Sequence, residues 1–210
     1  MALDLEEQEQ IAALKSWWMQ HGSFVVLACS AVAIAIVAWQ GWGWYQRSQA
    51  QEAGALYGSL EKAVQAGDAK GLRDTGGALA EGYPRTLYAS MGALVAARFY
   101  FDRGDLKNAK AQLQWVLERS GSEDLRSLAR LRLVAVLLDE QAYEEALRLL
   151  SEKPPEAYAA QYAAARGDVL VAKKQIAEAK AAYALALDKA QKDASAFRES
   201  VRMRLDALGG

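Results

Sequence analysis

Cysteine and histidine are almost missing from this 210-residue chain, which contains one of each, Cys29 and His21. Neither type occurs after residue 29. The long C-terminal part therefore has no Cys or His nucleophile or base, cannot form a Ser/His/Asp triad, and lacks the usual zinc ligands. The compartment stays open, because a domain without cysteine folds in either the cytosol or the periplasm.

Helix-breaking residues are also scarce, and no pattern typical of a strand is present. The chain has three prolines, while alanine, leucine, glutamate, lysine and arginine are abundant, which favours helix. No run of β-branched residues alternates with polar ones, as a strand would require. We therefore predict an all-α protein.

An excess of basic charge is missing as well. After residue 46 there are 24 basic residues (25 less Lys15) and 22 acidic ones (26 less the four in the first ten residues), a net charge of +2. The two signs are interspersed, whereas a nucleic-acid-binding protein concentrates basic residues on one surface. We expect no nucleic-acid partner.

The most informative feature that is present is a run of 25 residues, 22–46, without a charged side chain. As a helix it would be roughly 37 Å long, enough to cross a hydrocarbon core of roughly 30 Å with some tilt. Aromatic side chains, which favour the interface between lipid and water, lie at both ends. They are Trp17 and Trp18 on one side and Trp39, Trp42, Trp44 and Tyr45 on the other. The pattern predicts a single helix that spans a lipid bilayer.

Two cleaved-signal interpretations compete with an uncleaved anchor. A secretory signal begins with a basic segment, yet the first twenty residues carry four acidic side chains and only Lys15 as a basic one. A lipoprotein signal would end at Cys29, but the apolar run continues well past it and Leu27 is bulky for its position. We expect an uncleaved anchor. Charge leaves its orientation open, because Lys15 and the α-amino group nearly balance Arg47 and Lys62.

Beyond the anchor, a pattern recurs with a period near 35 residues. In each copy a small residue is followed four positions later by a bulky one, as in the second half of the tetratricopeptide (TPR) pattern, where the small residue lets two helices approach. The pairs are Ala109 and Leu113, Ala146 and Leu150, and Ala179 and Tyr183. The first halves agree more loosely, with Ala97, Val134 and Gly167 at the close-contact position.

These repeats predict the organisation of the whole chain. The predicted segments are an acidic tail (1–21), the membrane helix (22–46), a linker helix with a degenerate first hairpin (47–84), three TPR-like hairpins (85–190) and a capping helix (191–210). The predicted helices after the anchor are 48–66, 70–81, 85–103, 106–119, 124–140, 143–151, 157–173 and 176–190.

A helical-hairpin solenoid leaves a concave surface, which such proteins generally use for binding. By the TPR register this predicted groove is formed by Met91, Leu94, Arg98 and Phe101, then Leu128, Leu131, Ala135 and Leu138, then Gln161, Ala164, Asp168 and Val171. The first two sets are mostly apolar, which suits a partner helix or an unfolded client polypeptide. Alternatively, a terminal helix folds over these side chains and buries them as ordinary core.

Acidic pairs on the helices give weak grounds for catalysis. Glu140 and Glu144 stand at i and i+4, but on a surface rich in lysine and arginine such pairs are typical of solvated side chains. Gly76 and Gly77 lack the Lys and Ser/Thr of a phosphate-binding loop. The sequence predicts a protein that is not an enzyme and has no cofactor and no metal site.

The order of these parts resembles the YfgM family. The features that carry the resemblance are the acidic N-terminus, the stretch Glu9-Gln10-Ile11-Ala12-Ala13-Leu14-Lys15-Ser16-Trp17-Trp18 ahead of Gly22, one apolar span, Gly41-Trp42 with Tyr45, and TPR hairpins to the end. Members of that family are ancillary subunits of the SecYEG translocon in Gram-negative bacteria, and they offer no catalytic residue.

The resemblance implies an inner-membrane protein with its N-terminus in the cytoplasm and its TPR domain in the periplasm. It also implies association with SecYEG and with a PpiD-type membrane-anchored chaperone, to assist proteins that leave the channel. The alternative is a TPR scaffold for another envelope assembly, such as cell-wall synthesis.

Overall fold

The computed structural model describes residues 3–191 and 193–209, with side chains from residue 9 onward. Within these ranges every regular element is a helix, which confirms the predicted fold class. The helices are α1 (Leu3–Gln65), α2 (Ala69–Gly82), α3 (Leu87–Phe101), α4 (Leu106–Arg119), α5 (Glu123–Asp139), α6 (Tyr143–Leu149), α7 (Ala159–Ala172), α8 (Ile176–Lys189) and α9 (Ser195–Asp206). A 3-10 turn, Glu156–Tyr158, precedes α7.

The chain divides into two compact units, one ending at Gln49 and one beginning at Ala50. Parts of the predicted terminal segments lie outside the described residues: Met1, Ala2, Lys192 and Gly210, together with the side chains of residues 3–8 and their acidic groups.

Several predicted helix bounds differ from the observed ones. The separate helix predicted at 48–66 is the last part of α1, because no proline or turn sequence interrupts the chain before Gly67. The helix predicted at 124–140 begins one residue earlier, at Glu123, and its N-cap is Ser122, whose hydroxyl accepts a hydrogen bond from the Leu125 amide. The last helix is shorter than the predicted 191–210 segment and begins at Ser195.

One turn geometry recurs in four successive hairpins. A residue with positive φ follows the first helix of each, at Gly67, Gly104, Gln141 and Lys174. The backbone amide of the next residue donates a hydrogen bond to the carbonyl oxygen five residues earlier. The donor–acceptor distances are 2.8 Å for Asp68 to Ala63, 2.9 Å for Asp105 to Tyr100, 2.8 Å for Ala142 to Leu137 and 2.9 Å for Gln175 to Leu170. This is the Schellman ending of a helix, and it reverses the chain in the same way each time.

The shared turn shows that α1 and α2 join as the other helical hairpins do. Asp68 then caps α2 by accepting hydrogen bonds from the Lys70 and Gly71 amides, both at 3.0 Å. Leu72, where the repeat calls for a small residue, is buried beside Leu60 and Leu79. The bulky Leu72 side chain is accommodated at this position because it packs as part of the hydrophobic core.

The core of the second unit runs through the stack of hairpins. A main cluster joins side chains from the last turns of α1 through α7, including Leu60, Leu113 and Leu137. A smaller cluster at the C-terminal end joins α7 and α8 to α9. Phe197, Val201 and Leu205 of α9, and Leu208 just after it, lie in that smaller cluster.

Candidate partner-binding surface

The structure brings four of the predicted groove residues together at two neighbouring recesses on α3 and α5. A cavity of about 100 Å³ lies between α3, α4 and α5 and is lined by Ala97, Arg98, Phe101, Leu113, Arg132, Ala135 and Val136. A more open recess of about 370 Å³ is lined by Val64, Leu94, Val95, Arg98, Phe99, Asp102, Arg103 and Arg132. Arg98 and Arg132 line both, so the two recesses adjoin.

The other predicted groove residues are dispersed between core and surface. Met91 is partly buried, and three leucines of α5 are partly buried and pack against the main core: Leu128, Leu131 and Leu138. Ala164 is only 4 % exposed and belongs to the core. Leu94, although it lines the open recess, is also only 4 % exposed. Gln161 is exposed, and Val171 packs against the small C-terminal clusters. The α5 leucines are therefore the apolar part of the predicted groove that remains partly open.

The Asp168 carboxylate, which the TPR register also placed in the groove, is occupied by groups of the chain itself. The Tyr183 hydroxyl donates to it over 2.8 Å, and Arg204 of α9 donates to both of its oxygens over 3.0 and 2.8 Å. This network ties α9 to α7 and α8. Asp168 thus acts in this structure as a structural tie for the last helix.

The same network changes the acidity of Tyr183. Burial raises the pKa of Tyr183, and the hydrogen bond to Asp168 and that carboxylate's negative charge raise it further. The tyrosinate is disfavoured because it would place a second negative charge against Asp168 in a desolvated position.

We expect the free energy of unfolding to fall in strongly alkaline solution. The folded state holds the Tyr183 proton more tightly than the unfolded chain, so this contribution is complete below about pH 10 and is lost as the pH rises toward the folded-state pKa. Urea denaturation at a series of alkaline pH values would measure the loss. Tyr183→Phe should flatten the pH dependence, and an unchanged slope in that variant would contradict the assignment.

Arg132 is the residue of this surface that the sequence reasoning missed. It donates one hydrogen bond, over 3.1 Å, to the backbone oxygen of Leu94. Burial lowers the pKa of the Arg132 guanidinium, and the neighbouring charge of Arg98 lowers it further. The sequence offered one signal for Arg132. It lies two residues before Val134, a close-contact position of the repeat, on a helix that contributes residues to the predicted groove.

The two neighbouring arginines, Arg98 and Arg103, also have partners within the chain. Arg98 donates to Asp102, the residue that follows α3, over 2.8 Å. The Arg103 guanidinium lies 3.5 Å from the centre of the Phe99 ring, at the distance of a cation–π contact. Among the side chains that the structure describes, no group of three or more His, Cys, Asp and Glu residues is placed to hold a metal ion.

The predicted membrane-interface residues lie on the first unit's part of α1. Among the described residues this helix alone is long and apolar enough to cross a membrane. The six aromatic side chains that were predicted to lie at the membrane interface are all exposed: Trp17, Trp18, Trp39, Trp42, Trp44 and Tyr45. Trp17 stacks on His21 with ring centres 5.4 Å apart, and Trp42 lies 6.1 Å from Tyr45. An apolar surface of this length on one helix indicates a single-pass membrane anchor.

Comparison with known proteins agrees with this architecture. A family described as a tetratricopeptide repeat-like domain matches residues 15–210. Curated proteins named "Ancillary SecYEG translocon subunit" match over nearly the whole chain. The protein of Neisseria gonorrhoeae is 31% identical over 99% of this chain and 100% of its own length. That of Haemophilus influenzae is 29% identical over the same shares, and that of Escherichia coli is 27% identical over 84% of this chain and 85% of its own.

The family match confirms the resemblance drawn from the acidic tail, the anchor and the repeats. It also agrees with the prediction that the chain is not an enzyme, because the matches name a translocon subunit and a repeat domain rather than a catalyst. By its match over residues 15–210 and its identity across full-length relatives, the chain belongs to the family of ancillary SecYEG translocon subunits with a tetratricopeptide repeat-like domain.

Proposed function

We propose that this chain associates with the SecYEG translocon and uses its TPR-like unit to hold partner proteins close to the channel. The observation that carries the proposal is the alignment with the Neisseria relative, which covers 99% of this chain and so includes both the anchor and every hairpin. Two shared parts in the same order support a shared role more strongly than the common TPR pattern alone.

The proposed mechanism depends on position rather than on tight binding. A membrane anchor keeps the TPR-like surface beside other membrane-bound proteins, and a short tether raises the effective concentration of a partner into the mM range. Contacts that are weak in solution are then sufficient. The partly open leucines of α5 offer an apolar surface for a PpiD-type membrane-anchored chaperone or for an unfolded client leaving the channel.

The proposed topology places the N-terminus in the cytoplasm and the TPR-like unit in the periplasm of a Gram-negative inner membrane. In that case protease added to intact spheroplasts should digest the unit from Ala50 onward, while a cytoplasmic marker protein stays intact. Immunoblotting with a C-terminal tag would follow the digestion. A domain that is cut only after the spheroplasts are lysed would be cytoplasmic, contrary to the proposal.

Association with SecYEG can be tested by co-purification from solubilised inner membranes. We expect the tagged wild-type chain to recover SecYEG and a PpiD-type chaperone. Leu131→Glu should recover several-fold less partner, because it places a charge on the partly open apolar surface of α5.

Leu185→Glu provides the matched control, since Leu185 is an exposed leucine of α8 outside the predicted groove. Both variants need the helical content and thermal midpoint of the wild type. Failure of the wild type to recover SecYEG would refute the proposed association. Unchanged recovery by folded Leu131→Glu would remove the groove alone from the proposal.

A further inference from the structure

We propose that the cavity between α3, α4 and α5, together with Arg98 and Arg132 at its edge, binds an acidic side chain of a partner protein that is followed by a small aliphatic one. We call this site the arginine recess. The proposal deepens the proposed function, on which it rests for the existence of a partner, by naming the chemistry that the TPR-like unit recognises.

The first argument is that Arg132 lacks a countercharge. In the ranges that the structure describes, no acidic side chain forms an ion pair with Arg132, and its one recorded acceptor is the Leu94 carbonyl oxygen. A guanidinium offers five N–H donors in a planar fork that matches a carboxylate. Since burial and Arg98 both lower the pKa of Arg132, its charge is poorly compensated in the free protein. A carboxylate from outside the chain would supply what is missing.

The other two arginines of α5 that are partly buried have carboxylate partners. Arg130, two residues away on α5, donates to Glu152 and to the Tyr162 hydroxyl. Arg126, one turn earlier on the same helix, pairs with Glu123. Of the three arginines on α5, Arg132 alone, which lines the cavity, has no carboxylate partner among the described residues.

Charge complementarity selects an acidic partner. The charged side chains that line the cavity and the adjoining recess are three arginines, Arg98, Arg103 and Arg132, against one acid, Asp102. Asp102 is already bonded to Arg98. A net positive, partly desolvated surface repels basic segments and strengthens a charge-assisted hydrogen bond to a carboxylate.

The cavity itself adds an apolar requirement. Its lining beyond the two arginines is aliphatic and aromatic, with Phe101, Leu113 and Val136 among the contributors. Its volume of about 100 Å³ is smaller than the roughly 150 Å³ that accommodates benzene in an engineered protein cavity. A small aliphatic side chain fits such a space, whereas an aromatic ring does not. The recess therefore selects an acidic residue adjacent to a residue such as valine.

The test measures binding of two peptides to the purified full-length chain in detergent by fluorescence anisotropy. One is a fluorescein-labelled amide of sequence Gly-Ser-Val-Glu-Val-Glu-Ser-Gly, and the other has glutamine in place of both glutamates. We expect the acidic peptide to bind roughly tenfold more tightly at low ionic strength. Arg132→Met, which keeps an apolar stem, should reduce the affinity for the acidic peptide to that for the glutamine peptide.

Two further variants keep the proposal testable if Arg132→Met fails to fold. Arg98→Met changes a side chain that is 69% exposed and should also weaken binding of the acidic peptide. Ala135→Phe changes an exposed residue at the cavity. Because its ring fills the apolar space, it should weaken binding of both peptides. Arg148→Met, at an exposed arginine of α6 away from the cavity lining, is the matched control and should bind like the wild type.

Equal affinity for the two peptides, no measurable binding of either, or unchanged acidic-peptide binding in folded Arg132→Met would each overturn the proposal. The readout is independent of SecYEG co-purification. If the wild type binds both peptides equally but still recovers SecYEG, the arginine recess alone is refuted. If it prefers the acidic peptide but does not recover SecYEG, the recess stands and the proposed association is refuted.

Discussion

Replacing Gly167 by alanine is expected to lower the free energy of unfolding by about 2 kcal/mol, although alanine is the better helix former. A Cβ atom at this position would lie 2.6 Å from Cδ1 and 2.9 Å from Cζ of Tyr183, inside normal contact distance. Overpacking costs up to about 3 kcal/mol, and the gain in helix propensity offsets about 1 kcal/mol of it. The Tyr183 ring has little room to move, because it is 2% exposed and its hydroxyl is bonded to Asp168.

Gly77→Ala is the matched control for this prediction. Gly77 lies inside α2, and no atom would come within 4 Å of an added Cβ. Alanine should raise the free energy of unfolding there by about 0.5–1 kcal/mol. Urea denaturation of the full chain in detergent, followed by circular dichroism, would compare the two variants. A stabilising effect at both positions would show that α7 and α8 can separate without cost.

The close approach at Gly167 was predictable because it follows from the repeat alone. The TPR register puts a small residue where two helices cross, and the structure places Tyr183, the predicted bulky residue of the facing helix, against it. The repeated turn was only half predictable. Glycine marks it at Gly67 and Gly104, but Gln141 and Lys174 adopt the same positive φ without any signal in their side chains. There the geometry is imposed by the packing of the two helices that the turn joins.

The candidate site was less predictable than the fold, because its character depends on pairs of distant residues. The register placed Arg98, Phe101 and Ala135 on one surface, and these residues do line the cavity. It could not show that Asp168 would be taken by Arg204, 36 residues further along the chain. Nor could it show that Arg132 would be left without a carboxylate. Which charges remain unpaired is decided by tertiary contacts between helices that are far apart in sequence.

The second large effect on the free energy of unfolding is expected at Leu137 of α5, and its neighbour Leu138, which has different surroundings, provides the comparison. Leu137 is 0% exposed within the main core, and Leu137→Ala should lower the free energy of unfolding by about 3 kcal/mol through lost burial and the cavity left behind. Leu138 is only partly buried, so Leu138→Ala should cost roughly 1 kcal/mol. Urea denaturation of both variants under the same conditions measures the difference.

The comparison also distinguishes an open groove from a covered one. If a terminal helix of the full chain folds over the α5 leucines, Leu138 is enclosed in solution and its truncation costs as much as that of Leu137. If the surface is open, Leu138→Ala causes only a small loss of stability in the free protein, and its main effect is to reduce partner recovery. Leu137→Ala should show the reverse relation, with reduced stability and, while still folded, unchanged partner recovery. Equal losses of stability for the two variants would therefore contradict the use of this surface for binding.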